Sequence, residues 1–126
     1  MKIKNVVLSN SVSVLNKLSE MDLDIVVACK LEENIIKFNE NLQAYEKTRR
    51  KLIEKYADKD NEGKPIVKDN QYCFTDEKNK IKFIEEINKL DNLEKDLEFN
   101  LFKLDDFKGV RMTTLDYGRI KFMIEK

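Results

Sequence analysis

The stretch Ala28–Tyr56, ACKLEENIIKFNENLQAYEKTRRKLIEKY, decides the fold. Its apolar residues recur three and four apart through Leu31, Ile35, Phe38, Leu42, Tyr45, Leu52 and Tyr56, the heptad rhythm of a helix with one apolar stripe. The spacing predicts a single helix from about Asp24 to Tyr56 or Ala57, of roughly eight turns. Such a stripe requires cover from another helix, supplied by this chain or by a second copy. Only Arg49 interrupts it. An Arg inside a seam is costly unless paired, so Arg49 reads either as a register device or as a group facing a ligand.

Outward from this helix, the flanking segments supply shorter elements. Lys2 to Leu8 carries Ile3, Val6, Val7 and Leu8, a β-prone run expected to form a short strand before a helix opens near Ser9 or Asn10. Val14, Leu15 and Leu18 give that helix one apolar face, ending near Met21. After the long helix, Gly63 and Pro65 break the pattern. Pro65-Ile66-Val67 and Gln71-Tyr72-Cys73-Phe74 around Lys68-Asp69-Asn70 predict a small hairpin. Thr75, Asp76 and Glu77 mark a helix start, and Ile81, Phe83, Ile84, Ile87 and Leu90 continue its apolar face back along the long helix. From Lys95 the period changes to two, placing Leu97, Phe99 and Leu101 on one side of an expected strand that pairs with the N-terminal segment. Thr113 or Thr114 caps a last helix. The fold class is therefore mainly α with minor β: a long amphipathic helix in an antiparallel helical hairpin, a short β-hairpin, and a C-terminal strand and helix.

Composition agrees with this class. Charged residues make up 38% and hydrophobic ones 41% of 126 residues, with only three Gly and one Pro, which suits amphipathic helices in one domain spanning 1–126. Lys plus Arg equals Asp plus Glu at 24 each, so no global field draws the chain to nucleic acid or to an anionic membrane. The longest apolar runs are too short for a signal segment or a bilayer span, and a cytoplasmic protein is expected. Cys29 and Cys73 lack CxxC spacing and the chain has no His, so the usual zinc sets are missing and the thiols are expected to be reduced core residues.

Three segments carry possible chemistry. Asp58, Asp60, Glu62, Gly63 and Asp69 fall at positions one, three, five, six and twelve of an EF-hand calcium loop, with Gly63 at its turn position. Pro65 stands where such a loop needs a free amide, and position twelve is Asp instead of Glu, so a solvated hairpin is the adopted reading. Second, Lys47-Thr48-Arg49-Arg50-Lys51 follows Tyr45. Tyr45, Arg49, Arg50 and Lys51 form a candidate anion site, because the guanidinium fork matches phosphate or carboxylate. Third, Arg111, Thr113, Thr114, Tyr117 and Arg119 combine hydroxyls, an aromatic and two guanidinium groups, which either hold a phosphate and stack a base or cap a terminal helix. No nucleophile elbow or Walker loop exists and the chain lacks a His base, so a non-enzymatic protein without catalytic residues, cofactor or metal is expected.

Read whole, the chain resembles a family of small uncharacterised proteins of phages and prophages of Gram-positive bacteria. The resemblance rests on MKIKNVVLSNSVSVLNKL, DLDIVVACKLEENI, YEKTRRKLIEKYADKDNEGKPIV, DLEFNLFKL and LDYGRIKFMIEK, with a shorter, Cys-bearing hairpin after Gly63 as the main departure. It implies a phage accessory protein in the infected cell's cytoplasm that binds without catalysis. Two counter-defence targets follow: a host cyclic-nucleotide signal held where helices of a homo-oligomer meet, or a host defence protein. The alternative is a phage assembly or scaffold protein. Neither a membrane nor a specific nucleic-acid sequence is an expected partner.

Overall fold

A computed structural model describes residues 1–125. The elements run β1 (Lys2–Lys4), α1 (Asn5–Ser19), α2 (Ile25–Tyr56), β2 (Val67–Lys68), β3 (Gln71–Tyr72), α3 (Glu77–Asp91), β4 (Glu94–Asp96) and α4 (Thr114–Ile120), with single 3-10 turns at Leu104–Phe107 and Lys121–Met123. This is the expected mainly helical α+β fold. The chain forms two compact units, Met1–Leu42 with Glu94–Lys126 and Gln43–Leu93, and α2 runs from the first into the second.

α2 starts where the sequence predicted, because the Asp24 carboxylate accepts from the Val26 amide at 3.1 Å. Its buried positions are Val27, Leu31, Asn34, Ile35, Phe38, Leu42, Tyr45, Ile53 and Tyr56, so the stripe begins at Val27, while Ala28 is exposed.

In the first unit α2 packs with α1, whose Leu8, Ser11, Val14, Leu15 and Leu18 are buried at helical spacing. α4 also lies against α1, where Lys17 reaches the nearly buried Asp116 at 3.5 Å. Phe38 forms an aromatic cluster with Phe99 and Phe122, centroids 5.5 and 6.3 Å away. Full burial of a side chain such as Phe38 contributes about 2–3 kcal/mol.

The N-terminal strand is shorter than expected. It ends at Lys4, and α1 begins at Asn5, so Ser9 and Asn10 lie exposed within the helix and cap nothing. The spacing of Asn5, Leu8, Ser11, Leu15 and Leu18 fits a helical face, and that burial overrides the strand preference of Val6 and Val7. β1 pairs antiparallel with β4, in the register Lys2 to Asp96, Ile3 to Lys95 and Lys4 to Glu94. Opposite charges thus face each other at both ends while Ile3 points inward.

The expected strand through Leu97, Phe99 and Leu101 is corrected in position. Ladder pairing ends with the Leu97 amide on the Met1 carbonyl at 2.9 Å. Beyond it, the buried Asn34 side chain takes over: its Oδ1 accepts from the Asn100 amide at 2.8 Å and its Nδ2 donates to the Asn100 carbonyl at 3.0 Å. This amide substitutes for a neighbouring strand, and the alternation slips so that Phe102 is buried at 1% exposure while Leu101 is 39% exposed. Phe102 then forms a parallel bridge with Ile124.

In the second unit the C-terminal part of α2 is met by α3, as the stripe requires. The Tyr45 hydroxyl donates to Asp91 at 2.7 Å and the Tyr56 hydroxyl to Glu86 at 3.1 Å. Later residues of α2 meet earlier ones of α3, so the pair is antiparallel. Asp76 caps α3 by accepting from the Lys78 and Asn79 amides. The β2–β3 hairpin turns on Asp69 and Asn70 with φ of 52° and 63°, as the right-handed twist of a two-residue hairpin demands.

Candidate functional site

The first basic cluster lies on α2 in the second unit. Tyr45, expected among the ligand-facing groups, is buried on the stripe, and its hydroxyl is committed to Asp91. Burial and then the neighbouring Asp91 push its ionisation from 10.0 up to about 12, with Arg49 opposing slightly. One turn on, Arg49 does not point into the seam. It is exposed, because Leu52 and Ile53 continue the packed face and leave position 49 at its margin.

Arg49 and Arg50 line an open cleft of about 270 Å³, with Glu46 and Ile53 on the same helix and Tyr72 on β3 closing it. Among the described residues neither guanidinium makes an ion pair. Lys51 is exposed and outside this cleft. The structure therefore brings together Arg49 and Arg50, and supplies the aromatic from the hairpin instead of from Tyr45. Tyr72 was not singled out from sequence, since only the folding back of the hairpin places it beside α2. It is 42% exposed, so its ring is open to solvent at the cleft.

Two guanidinium forks, one carboxylate and an aromatic face form a set of complementary recognition groups. Guanidinium forks can pair with phosphate or carboxylate oxygens, a carboxylate such as Glu46 can accept from a hydroxyl or an amine, and an aromatic face such as Tyr72 can stack. The cleft volume sits just below the range of about 300–1,000 Å³ typical of small-molecule sites.

The second cluster does not assemble into one site. Arg111 lines an open cleft of about 600 Å³ in the first unit, together with Asp22, Asp24, Asp105, Asp106 and Lys108. Four carboxylates there oppose a phosphate. The Thr113 hydroxyl accepts from the Asp116 amide at 3.1 Å and is the helix cap, and Thr114 is the exposed first residue of α4. Tyr117 lies in a different cleft with Lys121 and Phe122, and Arg119 is half-buried and lines neither. Thr113 is thus the helix cap, one of the two roles the sequence left open for this segment.

The acidic loop after α2 has structural work. Both oxygens of Asp58 accept from the Thr75 amide, at 3.2 and 3.0 Å, and Oδ1 also accepts from the Thr75 hydroxyl at 3.1 Å. Asp60 Oδ1 accepts from the Glu62 and Lys64 amides at 2.9 and 3.0 Å. Among the described residues no group of three His, Cys, Asp or Glu side chains could hold a metal ion. Both cysteines are free thiols; Cys29 is exposed and Cys73 half-buried, so Cys29 is not the core residue expected of it.

No helix among the described residues is long and apolar enough to cross a membrane. No protein-family model, curated protein or solved structure matches this chain.

Proposed function

We propose that this chain is a non-enzymatic binding protein that holds a phosphate-bearing nucleotide in the cleft of Arg49, Arg50 and Tyr72. The observation that carries the reading is the pair of guanidinium groups left without carboxylate partners among the described residues, beside an exposed aromatic. The biological setting comes from the sequence resemblance: a phage accessory protein in the cytoplasm of an infected bacterium, lowering the free concentration of a host immune signal. One cleft accommodates one nucleotide moiety, so a cyclic dinucleotide would be shared between two copies, which is where a homo-oligomer enters the proposal.

Calorimetric titration of the full chain with mononucleotides, cyclic dinucleotides and inorganic phosphate tests it. Nucleotide binding that disappears in Arg49→Gln/Arg50→Gln, with an unchanged urea midpoint, is the expected result. Absence of heat from every nucleotide, or equal binding by the double variant, overturns it.

A second reading, as an assembly or host-protein binder, is favoured by Ile81 and Ile84, which stand 50% and 48% exposed on α3. If the role is assembly, deletion abolishes phage particles even in hosts without defence systems; if it is capture of a host defence protein, particles form normally in such hosts.

A further inference from the structure

The larger cleft, in the first unit, has a chemistry opposite to that of the Arg49 site. Its walls come from the α1–α2 junction, Met21 to Asp24, and from the segment Asp105 to Arg111. Met21, Leu23 and Val110 give it an apolar lining, against which four carboxylates face two cations, Lys108 and Arg111. Asp24 and Asp106 are engaged in capping, with the Val26 amide and the Lys103 amide. Asp22 and Asp105 are exposed, and among the described residues their carboxylates accept no hydrogen bond, although the Asp105 carbonyl accepts from the Lys108 amide. They keep their full accepting capacity.

The apolar character continues outside the cleft along both wall segments. Ile25 and Val26, next to Asp24, are 81% and 60% exposed, and Leu104, next to Asp105, is 65% exposed. Large aliphatic side chains held in water beside unengaged carboxylates define an interaction surface with a preferred charge. A nucleotide or another acidic ligand is repelled here. A second copy of this acidic surface is repelled for the same reason, since a two-fold contact sets like charge against like.

We propose that the cleft docks a basic amphipathic segment of another protein, with aliphatic side chains on Met21, Leu23 and Val110 and lysine or arginine side chains on Asp22 and Asp105. The inference is independent of the nucleotide reading, because it uses a different unit of the chain and the opposite charge.

The test uses a fluorescent peptide of leucine and lysine patterned as an amphipathic helix, and its leucine–glutamate counterpart, with the full-length chain. The lysine peptide is expected to bind, to weaken with salt and to shift the backbone amide resonances of Leu23, Gly109 and Val110, while the glutamate peptide does not bind. Asp22→Asn/Asp105→Asn is expected to weaken binding about tenfold. Glu40→Gln/Glu85→Gln, which removes the same charge at exposed positions elsewhere, is expected to leave it unchanged. Equal weakening by the two double variants would reduce the effect to net charge and overturn the proposal. So would equal binding of both peptides. Self-association of the chain that Asp22→Asn/Asp105→Asn abolishes would assign the cleft to a second copy and overturn it as well.

Discussion

The Tyr45 hydroxyl donates to the Asp91 carboxylate across 2.7 Å, tying the middle of α2 to the last residue of α3. The contact explains why Tyr45 and Arg49, one turn apart on α2, have different roles. The first closes the helical hairpin and the second borders the cleft.

Tyr45 therefore leaves a signature in alkaline stability. Its ionisation moves from 10.0 in the unfolded chain to about 12 in the folded one, chiefly through burial and then through Asp91. The neutral phenol is the form the fold retains, so its contribution is complete below pH 10 and is lost as pH rises from 10 towards 12. Urea midpoints measured at increasing alkaline pH should fall in the native chain. Tyr45→Phe should flatten that slope while costing about 1 kcal/mol at neutral pH. A slope unchanged by the substitution would remove Tyr45 as its source.

Asn34 is expected to be the most sensitive polar residue of the first unit. Its amide satisfies both the N–H and the carbonyl of Asn100 in place of a neighbouring strand. Asn34→Ala strands both groups and should cost about 2–4 kcal/mol. Asn34→Asp keeps an acceptor for the Asn100 amide but loses the donor and buries a charge, so it should fare no better. A loss below about 1 kcal/mol for the alanine variant in urea unfolding would show that water replaces the amide without penalty.

The hairpin turn couples local backbone geometry to the cleft that Arg49, Arg50 and Tyr72 line. Asp69 and Asn70 hold φ of 52° and 63°, a region that Asn and Gly tolerate and β-branched residues resist. Asn70→Gly should be neutral or stabilising by up to about 1 kcal/mol. Asn70→Val should loosen the strand that carries Tyr72 and weaken nucleotide binding, although residue 70 lies outside the cleft. Hydrogen exchange at the Tyr72 and Cys73 amides, followed beside the calorimetry, checks the link.

Calcium should leave the melting temperature within about 1 °C of its value in chelator, because a bound ion would raise it by mass action. Asp58 and Asp60 already accept from protein donors, so the loop does not present a set of open ligands. Asp58→Ala should cost about 1–2 kcal/mol by releasing the Thr75 amide and hydroxyl. A calcium-dependent rise that Asp58→Ala abolishes would reinstate the loop as a cation site.

Periodicity carried most of the architecture. The three-and-four spacing from Leu31 to Tyr56 specifies α2, the Asp24 and Asp76 caps mark two helix starts, and the polar turn between β-prone runs marks the hairpin. These are local rules, readable because each depends on a few neighbouring residues. Burial decided the rest. Val6 and Val7 enter a helix because their neighbours Asn5 and Leu8 are needed in the core, and Asn34, 66 residues away in sequence, captures the backbone at Asn100 and ends the strand pattern. The candidate site divides the same way. The charge run at Arg49 and Arg50 was legible, whereas Tyr72 beside it and the four carboxylates around Arg111 were not, because distant segments meet only when the chain buries its apolar stripe.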